Sequence, residues 1–178
     1  MNYATIKKVD VANGPGIRVS LFVSGCMHHC KGCFNPETWN YCYGSPFTKE
    51  TEDEILEALK PDYIKGLSLL GGEPLDPANQ LSVLSLVLRF KEMYPTKTLW
   101  CYTGYTFESD ILTGKLGNQD ALMLLLQNID VLVDGEFVIE LKNPNLRFRG
   151  SSNQRLIDVK ASLETGSTVV LDEDLKKC

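Results

Sequence analysis

The sequence predicts an α/β protein, a partial (βα) barrel or a curved, mostly parallel sheet with helices on its outer face. Two observations carry this expectation. Short runs of β-branched and apolar residues alternate with longer runs of helical periodicity, the order that produces parallel strands joined by right-handed crossovers. These runs are also too few to close a full barrel. At 178 residues the chain suits one domain with a sizeable core.

The elements follow in order. After a turn signal at Asn13, Gly14, Pro15 and Gly16, the run Ile17 to Val23 is rich in β-branched residues and reads as a strand. Thr51, with Glu54 three residues on, forms a capping box ahead of Ile55, Leu56 and Leu59, and Pro61 stops that helix. Leu67 to Leu70 is a short apolar strand broken by Gly71 and Gly72. Pro77 opens a second helix, with Leu81, Leu84, Val87, Leu88 and Lys91 at helical spacing, that ends at Pro95. Lys97 to Thr103 is the next strand, closed by Gly104. Asp120 to Asn128, with Leu122, Met123, Leu125 and Leu126, is a third helix, and Asp130 to Val133 a strand ending at Asp134 and Gly135. Beyond Glu136 the pattern weakens, with one late strand expected between Gly166 and Leu171.

In such sheets ligands bind at the carboxyl ends of the strands. The loops there hold CMHHCKGC, GGEP, YTGY and VDGEF. Composition narrows the partners. Eighteen Lys and Arg against 23 Asp and Glu give a net charge of -5, whereas nucleic-acid binding needs clustered cations. The opening MNYATIKKVDVANGPG lacks the apolar stretch of a signal peptide. No later run reaches the roughly 18 apolar residues of a membrane span. No membrane partner and a cytoplasmic location are therefore expected. In that compartment the six cysteines are not expected to form a disulfide framework.

Three of the cysteines, Cys26, Cys30 and Cys33, share one short loop. That spacing lets a single loop wrap its thiolates around an iron–sulfur cubane, which normally takes four cysteines when fully ligated. Three ligands leave one iron open, as catalytic metals keep a position for substrate. Gly25 and Gly32 suit close backbone approach and amide donation to the sulfurs. The same residues admit structural zinc, with His28, His29 or Cys42 as fourth ligand. A trio of free thiols is the third reading, and crowding such reactive sulfurs without a metal is hazardous. His28 and His29 otherwise read as exposed loop residues, Cys101 as a small core residue, Cys178 as a disordered end, and Cys42 as a neighbour of the site or nothing. Gly71 and Gly72 free backbone groups for a ligand or simply turn the chain before Pro74. Tyr102, Thr103, Tyr105 and Asp134 line a pocket or cap the core. Arg149, Ser151, Asn153 and Gln154 are polar enough to bind a cofactor or a partner.

The cysteine motif, the strand before it and GGEP after the next strand resemble the radical S-adenosylmethionine superfamily. Within it, NGPGIR, LFVSGCMHHCKGCFNPETW, LLGGEPL, YTGY, VLVDGEF and RGSSNQR, in this order from about Val9 to Gln154, resemble the activating proteins of anaerobic ribonucleoside-triphosphate reductase. Beyond Arg155 the chain carries no such motif. The resemblance implies a single radical SAM domain over residues 1–178 and a 4Fe-4S cluster on Cys26, Cys30 and Cys33, whose fourth iron chelates the amino and carboxylate groups of S-adenosylmethionine. It also implies contacts from Gly71, Gly72 and Glu73 to the methionine amino group, with Gly32, Cys33 and Phe34 beside the cofactor. Many superfamily members have an aromatic residue just before the third cysteine. Gly32 stands there in this chain, and Phe34 is the candidate for the adenine contact. The implied activity is reductive cleavage of S-adenosylmethionine and formation of a glycyl radical on the large reductase subunit, with no catalytic residue beyond cluster and cofactor. An external donor such as flavodoxin or ferredoxin is implied, because no second cysteine cluster is present. The competing expectations are another small radical enzyme, or an activase of a different glycyl radical enzyme, and a zinc-binding interaction module.

Overall fold

The computed structural model describes residues 1–171, and the expectation for Cys178 lies outside the described residues. The strands are β1 (Asn2–Asp10), β2 (Ile17–Val23), β3 (Ser45–Pro46), β4 (Ile64–Gly71), β5 (Thr98–Tyr102), β6 (Val131–Asp134), β7 (Arg155–Asp158) and β8 (Val169–Val170). The helices are α1 (Lys49–Ala58), α2 (Gln80–Met93), α3 (Gln119–Asn128) and α4 (Val159–Thr165). All eight strands join one open sheet in the order β3-β1-β2-β4-β5-β6-β7-β8. Its centre, β2, β4, β5 and β6, is parallel. Both margins are antiparallel, β1 and β3 on one side and β7 and β8 on the other. The α/β reading therefore holds, and the sheet is mixed rather than mostly parallel throughout.

Alternation along the strands sorts side chains to two faces. Val19, Leu21 and Val23 of β2, Leu67 and Leu69 of β4, Leu99 and Cys101 of β5 and Leu132 of β6 pack with α1, α2 and α3 into the main core. Cys101 is a core residue, as its strand position suggested. The opposite face carries a smaller cluster of Trp100, Val133 and Leu156, with Tyr102, Phe148 and Leu171 against it. This second face, free of helices α1 to α3, is the one that carries the site.

Two helix starts differ from the sequence expectation. α1 begins one turn earlier than the Thr51 and Glu54 pairing suggests. Thr48 is its N-cap and Thr51 takes the reciprocal position of the capping box. A threonine hydroxyl here does the work usually given to Glu or Gln, which a capping-box template does not register. α2 starts at Gln80 rather than Pro77, because Asp76 organises the preceding residues into turns: its side chain accepts the Ala78 amide and its carbonyl those of Asn79 and Gln80. The buried stripe of α2 is Val83, Leu86, Val87 and Phe90, while Leu81 is 63% exposed and Leu88 44%. Apolar residues occupy two adjacent stripes of this helix, so periodicity alone cannot choose between them.

At the amino ends of the parallel strands, Arg18 is fully buried. Its guanidinium donates to Ser68 Oγ (2.7 Å), the Leu67 carbonyl (2.8 Å), and the Thr98 carbonyl and hydroxyl (2.9 Å each). It also lies against the Trp100 ring. Burial draws its pKa down to about 10, and the hydrogen bonds satisfy the charge in place of water. Arg18→Met strands these acceptors, and a loss of about 3 kcal/mol is expected. In urea titration the midpoint should fall with unchanged slope; an unchanged midpoint would contradict the role given to Arg18.

Candidate metal and cofactor site

β2 runs directly into the cysteine loop. The base of the loop is closed by backbone bonds, Gly25 N to Thr38 O (2.8 Å) and Cys26 N to Trp39 O (3.4 Å), which fold it back onto the short 3-10 turn Pro36–Trp39. Cys26 is buried, and Cys30 and Cys33 are half-buried. The Asn35 amide donates to Cys33 Sγ (3.4 Å), and the nearby backbone amides of His28 and His29 at Cys26 and of Phe137 at Cys30 favour the thiolate forms electrostatically. Amide donors of this kind stabilise thiolate ligands and tune iron–sulfur clusters. Without metal, burial pushes the Cys26 thiol up to about 12 and raises that of Cys30. A bound metal must therefore displace these protons, so uptake releases acid.

The three cysteines line one cavity of about 500 Å³ together with Phe34, Gly71, Gly72 and Glu73. Its floor is the second face of the sheet, at Phe22, Leu70 and Tyr102. The glycine pair is a packing requirement. Gly71 has φ +109°, and a Cβ on Gly72 would lie 2.6 Å from the Gly25 carbonyl oxygen, so only glycine lets the end of β4 abut the cysteine loop. The Gly72 and Glu73 amides donate to the carbonyls of Val23 (2.7 Å) and Gly25 (2.8 Å). The Glu73 carbonyl is itself taken by the Asp76 amide (3.2 Å) and Asn79 Nδ2 (2.9 Å), so the carbonyls of Gly71 and Gly72 are this turn's candidate acceptors for an ammonium group.

The Glu73 side chain is 1% exposed. Its Oε1 accepts from the Leu75 amide and the Thr103 hydroxyl (2.9 Å each), and its Oε2 from the Gly104 amide (2.8 Å). His28 Nε2 lies 3.2 Å from the same Oε2, and His28 Nδ1 lies 2.9 Å from Glu136 Oε1. The expectation that His28 is a solvent-exposed loop residue is therefore corrected: its side chain is only 10% exposed and its ring packs on Tyr105. Burial alone would lower the imidazole pKa, but the carboxylates of Glu73 and then Glu136 outweigh it and raise it to about 9. His29 is exposed as expected and stacks on Trp39.

The remaining candidates divide. Tyr102, Thr103, Arg149 and Gln154 line the cavity. Gly32 packs against Ile139 instead, and Phe34, 62% exposed, lies on the Phe137 ring. Asp134 is a buried structural acceptor for the Phe107 amide and for Arg155. Ser151 Oγ accepts the Val138 amide and Asn153 donates to the Glu136 carbonyl, so both brace the loop that follows β6. Cys42 is exposed and outside the cavity lining. Both ring nitrogens of His28 are engaged by carboxylates and Cys42 lies outside the cavity lining, so neither is placed as a fourth ligand for zinc.

Two substitutions separate metal binding from folding. Cys30→Ala removes a half-buried thiol and should abolish iron binding while the melting temperature stays near that of the parent chain. Glu73→Ala leaves two amides and a hydroxyl without an acceptor and should cost about 3 kcal/mol. Unchanged iron content in the first variant, or unchanged stability in the second, would contradict this division.

Comparison with known proteins agrees with the chemistry of this donor set. The family described as a 4Fe-4S single cluster domain matches residues 12–157. The chain is 50% identical over 157 residues to the anaerobic ribonucleoside-triphosphate reductase-activating protein of Vibrio cholerae, covering 86% of this chain and 96% of that protein. It is 47% identical over 156 residues to the protein of that name from Escherichia coli K12, covering 86% and 96%. The corresponding protein of Enterobacteria phage T4 is 44% identical over 156 residues, covering 88% and 93%. With nearly the whole of these proteins matched, and the cysteine loop and glycine turn assembled on one cavity, the chain belongs to the family of anaerobic ribonucleoside-triphosphate reductase-activating proteins.

Proposed function

We propose that this chain is a radical SAM activase that holds a 4Fe-4S cluster through Cys26, Cys30 and Cys33, binds S-adenosylmethionine in the adjoining cavity, and generates a glycyl radical on the large subunit of anaerobic ribonucleoside-triphosphate reductase. The observation that carries the proposal is the meeting of three cysteine thiols and a glycine turn on one cavity. Its volume of about 500 Å³ lies in the range of small-molecule sites. Held by Cys26, Cys30 and Cys33, the cluster would supply the one electron for reductive cleavage of S-adenosylmethionine, and the radical chemistry so provided would remove a hydrogen atom from the glycine α-carbon.

The chain's own part is positional. In the turn Gly71, Gly72 and Glu73 the two glycine carbonyls are the candidate acceptors for the methionine ammonium, the Glu73 carbonyl being held by Asp76 and Asn79. Cys33 and Phe34 flank the cofactor, with the exposed Phe34 ring available to the adenine, while Gly32 packs against Ile139 outside the cavity lining. Phe22 and Leu70 give the cavity an apolar floor. Among the described residues the other cysteines are the exposed Cys42 and the buried Cys101, so the electron comes from an external donor such as flavodoxin or ferredoxin. Among the described residues no helix is long and apolar enough to cross a membrane, and a cytoplasmic site of action is part of the proposal.

The test mixes anaerobically reduced protein, S-adenosylmethionine and the large reductase subunit and records electron paramagnetic resonance. The expected result is a glycyl radical signal on the large subunit that depends on all three components. A complex that forms without ever yielding the signal would overturn the proposal.

A further inference from the structure

The base of the cysteine loop is held by backbone bonds, but its middle, between Cys26 and Cys33, reaches the strand ends by another route. We propose that His28 is a positioning residue, a latch that fixes the middle of the cysteine loop to the carboxyl ends of β4 and β6 and so sets the spacing between the thiols and the Gly71–Glu73 turn. The proposal rests on the cavity reading above and extends it to a residue outside the ligand set.

His28 touches both elements at once, with Nε2 3.2 Å from Glu73 Oε2 and Nδ1 2.9 Å from Glu136 Oε1. Tyr105 closes over the ring at a centroid distance of 4.5 Å. The loop's other ion pair, Lys31 to Glu140, spans 3.7 Å between two exposed side chains and contributes little. The latch also accounts for Gly104. Its φ lies outside the left-handed region, so its backbone does not demand glycine. A Cβ there would stand 2.5 Å from His28 Cδ2 and 2.7 Å from Nε2. The missing side chain is the space in which the imidazole reaches Glu73, while the Gly104 amide donates to the same carboxylate oxygen.

Two substitutions therefore attack one contact from opposite sides. His28→Ala removes the imidazole, Gly104→Ala displaces it, and His28→Gln keeps a side chain able to donate to one of the two carboxylates. Hydrogen exchange is followed by mass spectrometry on the full-length chain, with and without the reconstituted cluster. Peptides covering residues 27–34 should exchange about tenfold faster in His28→Ala and Gly104→Ala, and less so in His28→Gln, with β4 and β5 unchanged. The reconstituted variants should retain iron and sulfide, while S-adenosylmethionine, read from its effect on the paramagnetic spectrum of the reduced cluster, binds about tenfold more weakly. Parental exchange in either alanine variant would overturn the latch, as would undiminished cofactor affinity. If wild-type protein carries the cluster but binds no S-adenosylmethionine, the cavity reading fails. The exchange result then still decides for or against the latch, so the two failures are distinguishable.

Discussion

A carboxylate taken out of water must find its hydrogen bonds inside the protein or the fold does not hold. Glu73, 1% exposed, finds them from three directions: the Leu75 amide in its own turn, Thr103 and Gly104 at the end of β5, and His28 on the cysteine loop. The need to satisfy one buried charge thus sets the relative positions of two parallel strand ends and the loop that carries the thiols. Arg18 plays the matching part at the other end of the same strands, with acceptors from β4 and β5.

The cavity follows from this constraint. With the main core and helices α1 to α3 on one side of the sheet, the other face is left to line a pocket at Phe22, Leu70 and Tyr102. The antiparallel strand β7 continues the sheet beyond β6, and its first residue, Arg155, is paired with both Asp134 and Glu108. The Arg155 guanidinium and then the Thr168 hydroxyl draw the Glu108 carboxyl down to about 2. These contacts tie the end of β6 to its neighbours. The cysteine loop, by contrast, presents Met27 and Phe34 to solvent, so the rim of the site is open where its base is rigid.

How much of this was legible in the chain depended on the range of the interactions. β2, β4 and α3 were legible because a strand with a buried face and an amphipathic helix announce themselves by local periodicity. β1 was not: in NYATIKKVD the residues Lys7 and Lys8 are exposed, and the strand exists through its pairing with β2. β7 is only four residues long, and it exists through antiparallel pairing with β6 before it and β8 after it rather than through a pattern of its own. The same division runs through the site. Three cysteines in one loop and a glycine pair carry their chemistry in contiguous residues. The roles of His28 and Gly104 depend on contacts spanning 45 residues to Glu73, 108 to Glu136 and, for Gly104, 31 to Glu73. His28 therefore read as one more exposed histidine beside a metal motif.

The central proposal is that Cys26, Cys30 and Cys33 would hold a four-iron cluster with one iron left open, beside which S-adenosylmethionine would bind in the same cavity. Mössbauer spectroscopy of the chain reconstituted with iron-57, recorded with and without S-adenosylmethionine, tests it most directly. The account predicts that one iron of the cluster differs from the rest and that its parameters alone change when S-adenosylmethionine is added. A set of equivalent irons indifferent to S-adenosylmethionine, or a chain that takes up no cluster, would contradict it.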